Sequence, residues 1–425
     1  MIGGDLNLKE ISFGITSKDE TKLFNDGYSS KKISMVSAVI LLLNAAMATD
    51  PFYFGSYFNC GVIQSFLIGL FVMMIVTLSF KVYLQTWIYG SSSTYRALWI
   101  KCFGRSTVFI PSVLILIAYS SITMICTKEH FSELLGIVTE YFPHSYFVDR
   151  KWAWVFFVVI VTFFPFLYLE KGSGFYITAY IAKFGLLVGM SAVWYTFVDK
   201  VQREGFDPKK QAIIWSTNSD YFFDSFAGFN VVMFLNPVIH YIMRDLMDPT
   251  KIRIMKCIWI TESVTLVSCL ITGYASYFMY FENNGGDNVL SYFNPNKTVT
   301  IVGKIGSILS NTGLNAFYIW VLSQEISNVL LSGCEKSILI RIFTGLVVIL
   351  FNVAMDCLSQ TTKDVFFLLG NFSFIFLSFV FPSMFFLKIY GFINFKWSLY
   401  SVLVIVISVP ISFSSLRYQI SALEW

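Results

Sequence analysis

Three ionisable residues, Asp50, Lys183 and Glu325, lie inside long apolar stretches of the sequence. A charge in hydrocarbon costs about 2.5–3.5 kcal/mol on insertion scales, so such residues are typical of proton or ion pathways. Asp50 can carry a proton or pair with a cationic substrate; alternatively, it lies at the membrane surface or accepts N–H groups at a helix start. Glu325 can accept a proton or simply lie near the inner face. Lys183 can neutralise either acid, take the position of a bound sodium ion, or extend its ammonium to the surface.

Two proline-containing pairs interrupt apolar stretches, Asp50-Pro51 in the first stretch and Asn236-Pro237 in the sixth. Proline removes a backbone donor, and broken backbone at membrane depth is tolerated only against protein or water. A broken helix exposes N–H groups at one end and carbonyls at the other, which together suit a zwitterion. Paired breaks in two halves therefore predict an inverted-repeat transporter. The alternative is that Asp50-Pro51 only ends the first helix and that the sixth is kinked.

The elements that must position these residues are predicted to be membrane-spanning helices. The chain has 425 residues, of which 56% are hydrophobic and 13% charged, and its mean hydropathy is +0.66. A soluble domain usually carries about 25% charged residues, and a span needs about 20 apolar residues. Eleven runs qualify, near residues 33–56, 62–88, 107–127, 152–169, 175–197, 222–246, 254–280, 299–331, 337–357, 364–387 and 397–415. We expect an all-α integral membrane protein with a cytoplasmic polar tail at residues 1–30 and a transporter domain at 31–425.

The composition argues against several other classes of protein. The net charge of +4 is spread between apolar runs, which disfavours nucleic-acid binding. Seven cysteines without a C-x-x-C pair and three scattered histidines predict no metal site. The excess of lysine and arginine in alternate loops predicts a cytoplasmic N-terminus and an outside or lumenal C-terminus. The sequon at Asn296 then lies outside, which makes Asn296 a candidate glycosylation site.

Several short motifs follow one another in an order that resembles the amino acid/auxin permease family, within the amino acid–polyamine–organocation group. They are Asn44 with Phe58-Asn59-Cys60-Gly61, Phe234-Leu235-Asn236-Pro237, Asp245 through Lys251, Gly273-Tyr274 through Leu290, and Gly370 through Phe381-Pro382 to Lys388. The resemblance covers all eleven runs. The chain departs from the family where Gly-x-Gly is usual, because it has Ala46-Met47-Ala48 there, and the added acid Asp50 follows.

This resemblance implies a LeuT-like fold of five plus five helices, with helices 1 and 6 broken, and secondary transport of amino acids driven by a proton or sodium gradient. The implied substrate contacts are Ala46, Met47, Ala48, Thr49, Asn230, Val231 and Phe234, and the implied sodium ligands are Asn44, Ser310 and Thr312. To these the polar residues themselves add Asp50 as a candidate substrate contact, and Asp50, Glu325 and Lys183 as candidates for a coupling proton or ion.

Other functions remain open on the same scaffold, namely an amino-acid-gated channel or a nutrient sensor. An enzyme is not expected, because the acids are scattered singly and form no catalytic set. We expect no cofactor beyond a coupling H⁺ or Na⁺, and no obligatory protein partner. The plasma membrane and a vacuolar or lysosomal membrane are both compatible with the sequence.

Overall fold

A computed structural model describes residues 33–47, 50–90, 94–141, 151–170, 174–205, 213–280, 288–294, 297–330, 338–356, 358 and 360–422. Within these residues the chain is helical, and its only β pairing is a single parallel bridge between Ile33 and Leu246. Helices occupy all eleven places that the sequence predicts, and we number the spans one to eleven accordingly.

Seven helices in the described part of the chain are long and apolar enough to cross a membrane. Spans two, three and five are Val62–Gly90, Phe109–Tyr141 and Gly174–Glu204, and spans seven, nine and eleven are Lys251–Tyr280, Ile338–Asp356 and Phe395–Ala422. Span ten comprises Gln360–Ile375, a π-helical turn at Phe376–Val380, and Phe381–Tyr390. Spans four and eight are Lys151–Glu170 and Thr298–Leu330.

Spans one and six are the broken helices that the sequence predicts. Span one begins after the N-cap Ser34, runs over Met35–Ala46, and ends at Met47, whose backbone is extended. It continues after the break as short helical turns at Asp50–Phe52, Phe54–Tyr57 and Phe58–Cys60. Span six consists of Ser219–Val232 and Ile239–Met243, with Asn236-Pro237 in the non-helical turn between them.

Four helical segments differ from the sequence prediction. Span three continues past 127 to Tyr141, span five past 197 to Glu204, and span eleven past 415 to Ala422. Charged residues end the hydropathy signal, but they do not stop backbone hydrogen bonding, so a helix can project beyond the apolar layer. A further short helix, Tyr95–Phe103, follows span two and is capped by Thr94, which accepts a bond from the Ala97 amide at 3.1 Å.

Span ten contains an interruption that the sequence analysis did not identify. Pro382 has no N–H, so the carbonyl four residues earlier, on Ser378, loses its helical donor. Asn236 of the span-six break donates to that carbonyl at 2.7 Å and to the Leu377 carbonyl at 3.3 Å. The Ser79 hydroxyl also donates to the Ser378 carbonyl. The π-helical turn of span ten is therefore joined to the break in span six.

The two ends of the helical bundle are distinct. At one end, which we call the tied end, the Ile33 amide donates to the Asp245 carbonyl at 2.8 Å and the Met247 amide donates to the Ile33 carbonyl at 2.9 Å. At the opposite end, the loop around Ile214 packs on Gly61, which has a φ of +115°. A Cβ on Gly61 would meet the Ile214 carbonyl oxygen at 2.7 Å, so both backbone conformation and space require glycine there.

Candidate functional site

The break in span one leaves carbonyls without helical partners, and side chains of other spans take them up. The Lys183 ammonium of span five donates to the Met47 carbonyl. The Tyr318 hydroxyl of span eight donates to the Ala45 carbonyl at 2.5 Å. The end of a helix buried in a membrane needs such partners, because no water is there to supply them. Ala46 and Met47 are both buried at this point.

Asp50 begins the first helical turn after the break and is partly buried. Its carboxylate attracts the Lys183 ammonium electrostatically. The structure thus brings together Asp50, Lys183 and Met47, three of the residues selected from the sequence. Ala48 and Thr49, which lie between Met47 and Asp50, fall outside the described residues.

The residues predicted to bind a coupling ion in spans one and eight lie close to a contact between these two helices. The Asn44 amide donates to the Gly313 carbonyl at 3.2 Å. Ser310 and Thr312 precede Gly313 in span eight, and Ser310 is fully buried. Ala182, the neighbour of Lys183, packs directly on Gly313. The lysine therefore reaches the span-one break from the same level as the residues expected to surround a sodium ion.

The predicted substrate residues of span six separate into two environments. Asn230 and Val231 line a small pocket of about 20 Å³ between spans six, ten and eleven, together with Asn371 and Ser412. Phe234 lies in the break itself and packs on Tyr119 of span three, with ring centroids 5.8 Å apart.

Aromatic side chains connect the two breaks. Tyr119 stacks on Tyr318 at a centroid distance of 4.7 Å, and Tyr318 in turn bonds to the Ala45 carbonyl. Phe234 also packs edge-on against Phe374 of span ten at 4.5 Å. Phe234 is thus in the neighbourhood of the span-one break, whereas Asn230 and Val231 line the pocket between spans six, ten and eleven.

Glu325 lies apart from the other predicted coupling residues. It is buried, and it accepts a hydrogen bond from Tyr241, beyond the break in span six, at 2.8 Å. It stands 12 residues after Gly313 in a continuous helix, which corresponds to about 18 Å at 1.5 Å per residue. Glu325 therefore belongs to the tied end of the bundle and not to the group around Asp50.

A cavity of about 470 Å³ lies between spans one, three and eight, on the side of the span-one break away from the tied end. We call it the vestibule. Tyr53, Glu129, Glu133, Asn288 and Lys304 are among its lining residues. Glu133 is 8% exposed; its Oε1 accepts bonds from Asn288 at 2.7 Å and Ser307 at 2.6 Å. Its Oε2 is buried without a hydrogen-bond partner among the described residues.

Span three and span eight are joined by a series of polar contacts beside the vestibule. In each of them a hydroxyl, amide or imidazole of one span meets a polar side chain of the other. The pairs are Asn315 with Thr127 at 3.3 Å, Thr312 with His130 at 2.9 Å, Asn311 with Glu129 at 2.6 Å, and Ser307 with Glu133 at 2.6 Å. Because residues four apart share a helix face, this spacing holds the two helices together along several turns.

The sequence analysis missed Glu129, His130 and Glu133 because it assigned them to the loop after span three. The signal that locates them is their helical spacing. Glu129 and Glu133 are four residues apart, and apolar Leu134 and Leu135 continue the pattern of the preceding helix. The sequon asparagine Asn296 lies outside the described residues, as Ala48 and Thr49 do.

Comparison with known proteins identifies the family. The sequence matches the family described as transmembrane amino acid transporter protein over residues 31–421. The chain belongs to this family. The prediction of an amino acid/auxin permease is thereby confirmed. A comparison with curated protein sequences finds no match.

Solved structures of other transporters share the fold of this transporter. Mhp1, a nucleobase-cation-symport-1 family transporter with bromovinylhydantoin bound, is 11% identical; the alignment covers 94% of this chain and 96% of Mhp1, with a TM-score of 0.60. MhsT in complex with L-phenylalanine is 10% identical over 89% of this chain and 99% of MhsT, with a TM-score of 0.59. A Na⁺-coupled sialic acid symporter is 13% identical over 95% and 93%, with a TM-score of 0.54.

Family and fold together establish the class of protein. The transporter is a multi-pass integral membrane protein with a LeuT-like fold, as the sequence predicts. It is a secondary transporter of a small-molecule substrate, and its family and fold are those of transporters rather than enzymes.

Proposed function

We propose that the protein is a secondary active transporter of α-amino acids, driven by a proton gradient and independent of sodium. The observation that carries this proposal is the Lys183 ammonium on the Met47 carbonyl at the span-one break. A sodium ion in this location would need backbone carbonyl and hydroxyl oxygens as ligands. The Lys183 Nζ already engages the Met47 carbonyl and interacts electrostatically with Asp50.

The substrate class is supported by the family and by the chemistry of the two breaks. An amino acid carries one positive and one negative group, and broken helices present carbonyls to the first and N–H groups to the second. The aromatic side chains of Tyr119, Tyr318 and Phe234 lie between the breaks and offer an apolar contact surface for a side chain. MhsT, which has a similar fold, binds L-phenylalanine in its solved structure.

Proton coupling is supported by the carboxylates around the vestibule. Glu133 lines this cavity with one oxygen that has no partner among the described residues, and Glu129 lies one helical turn away. A proton that enters the vestibule would neutralise a carboxylate there, and the free-energy cost of enclosing that charge would fall. Asp50, at the break in span one, is the second acceptor that we propose. In this mechanism the vestibule closes after proton and substrate have both bound.

We place the tied end in the cytoplasm and the vestibule on the outside or in the lumen, in agreement with the loop charges. In alternating access, spans one, two, six and seven would rock against the scaffold of spans three, four, eight and nine. The polar contacts between spans three and eight suit a rigid scaffold, since several hydrogen bonds must break before the two helices can separate.

Uptake into proteoliposomes tests the proposal. Purified protein is reconstituted, and labelled amino acids are supplied under an inward proton gradient, with sodium either present or replaced by choline. We expect saturable accumulation of at least one amino acid that requires the proton gradient and is unchanged by the replacement. Strict sodium dependence would overturn the coupling assignment. Flux without accumulation would identify a channel, and binding without counterflow would identify a sensor.

A further inference from the structure

We infer that a pocket at the tied end of the transporter binds the phosphate headgroup of an anionic phospholipid. The pocket has a volume of about 360 Å³. Its lining includes Lys81 of span two, Lys251, Lys256 and Trp259 of span seven, and Trp397 of span eleven. We call it the basic pocket. It is separate from the vestibule and from both helix breaks, so transport as proposed above does not account for it.

The depth of the basic pocket matches a membrane surface. Lys81 stands 19 residues after Val62, the residue at which span two begins near the opposite end of the bundle. That separation is about 28 Å along the helix axis, close to the thickness of about 30 Å of a hydrocarbon core. Lys251 is the first residue of span seven, so its ammonium and the positive end of the helix lie on the same side.

The charge of the basic pocket favours an anion. Among the described residues that line it, three are lysines and none is acidic. The Lys251 ammonium lies over the Trp397 ring, 5.5 Å from its centroid. Asp248, in the turn before span seven, pairs with Arg253 at 3.6 Å. Basic pockets between membrane helices are typical sites for anionic lipid headgroups.

The apolar border of the pocket favours a lipid over free phosphate. Ile252 and Trp259 are 45% and 50% exposed on the outer surface of span seven, where they face hydrocarbon or the interface. Tryptophan is enriched at this depth because its ring is amphipathic. A phospholipid would place its phosphate among the lysines and its acyl chains against these two side chains. Such a lipid would contact spans two, seven and eleven at once.

Native mass spectrometry of the full-length protein tests the inference. Protein in detergent is titrated separately with phosphatidylserine, phosphatidylinositol 4-phosphate, phosphatidylcholine and inorganic phosphate. The variant is the triple substitution Lys81→Gln, Lys251→Gln and Lys256→Gln. Each lysine near a membrane surface strengthens binding of anionic lipid by about fivefold, so we expect about a hundredfold weaker binding of the anionic lipids in the triple variant. Phosphatidylcholine binding should not change.

A matched control distinguishes lipid binding at this pocket from nonspecific attraction of anionic lipid to positive charge on the protein. The triple substitution Lys101→Gln, Arg105→Gln and Lys388→Gln removes the same charge from residues that do not line the pocket. Equal losses in both triple variants would overturn the inference, as would inorganic phosphate binding as tightly as the lipids. If the triple variant of the pocket fails to fold, the single substitution Lys256→Gln replaces it, because Lys256 is exposed and its loss should not disturb folding. This single variant should bind anionic lipid about fivefold more weakly. Unchanged binding in the single variant would also overturn the inference. Lipid binding is measured without transport, so a negative uptake result leaves this test intact.

Discussion

The Lys183 ammonium of span five donates a hydrogen bond to the carbonyl of Met47, the residue at which the first half of span one stops being helical. Span one is thus held at its break by a side chain from span five, the last helix of the same half of the five-plus-five repeat. The same ammonium is attracted by Asp50 on the other side of the break. One lysine therefore connects the two parts of a discontinuous helix.

Replacing Lys183 with methionine should abolish proton-driven uptake, and replacing it with serine should make uptake depend on sodium. Both variants remove the ammonium from the Met47 carbonyl, but only serine leaves room and a hydroxyl ligand for a cation. The measurement is initial uptake with sodium or choline in the buffer. Lys200→Met is the matched control, because Lys200 is on the same helix and also donates to a methionine carbonyl, that of Met279. Loss of uptake in the control as well would point to folding and not to coupling.

Substituting Glu133 with glutamine should reduce the dependence of uptake on external pH. The Oε1 contacts to Asn288 and Ser307 can be kept by the amide oxygen, whereas the proton-accepting oxygen is lost. The expected result is a flattened pH profile with the fold retained. Glu140→Gln, two turns further along the same helix, serves as the control. If the Glu133→Gln variant has the same pH profile as the unmodified protein, Glu133 is not the residue that binds the coupling proton.

Asp50→Asn should abolish or uncouple transport while the protein still folds. The substitution keeps the size of the side chain and removes the negative charge that interacts electrostatically with Lys183. Counterflow, which needs no net proton movement, distinguishes the two results: an uncoupled carrier exchanges substrate but does not accumulate it. If accumulation keeps its usual pH dependence, Asp50 is not the proton carrier.

Much of this architecture is readable from the sequence because lipid imposes simple rules. Uninterrupted apolar length predicts the spans, and Pro51 and Pro237 predict the breaks, since a missing backbone donor is costly in hydrocarbon. The ends of span three are less predictable, because charge at Glu129 and Glu133 stops the hydropathy signal while the helix continues. Which polar side chain meets which depends on helix packing between distant segments, as for Lys183 and Met47. Spacing within one helix contains no information about such a pair.

Gly306→Ala should destabilise the protein where spans five and eight cross. A Cβ on Gly306 would meet the Gly185 carbonyl oxygen at 2.5 Å and the Gly189 amide nitrogen at 2.7 Å, both of them rigid backbone atoms. Overpacking of this kind costs about 1–3 kcal/mol, which a thermal melt in detergent detects as a lower midpoint. In the control Gly136→Ala, the new Cβ meets only the flexible Lys304 ammonium at 3.3 Å. Equal melting temperatures for the two variants would contradict the close crossing.

Asn236→Leu should destabilise the protein by about 1–3 kcal/mol, because it removes two buried hydrogen bonds that each contribute about 0.5–1.5 kcal/mol. The Asn236 amide donates to the Leu377 and Ser378 carbonyls, and it shares the Ser378 carbonyl with the Ser79 hydroxyl in place of the N–H that Pro382 lacks. Pro382→Ala restores a backbone N–H at that position. The loss caused by Asn236→Leu should consequently be smaller in the Pro382→Ala background. Strict additivity in this double-mutant cycle would mean that the two residues do not share the carbonyl.

The bridge at Ile33 has a consequence for how a route to the cytoplasm can form. Both backbone groups of Ile33 are engaged by the chain just beyond span six, at Asp245 and Met247. The start of span one and the exit of span six are therefore expected to move as one rigid unit. Either the two segments move together when the cytoplasmic side opens, or the two hydrogen bonds of Ile33 must break first. In the second case, the breaking of these bonds would set the rate at which the cytoplasmic passage opens.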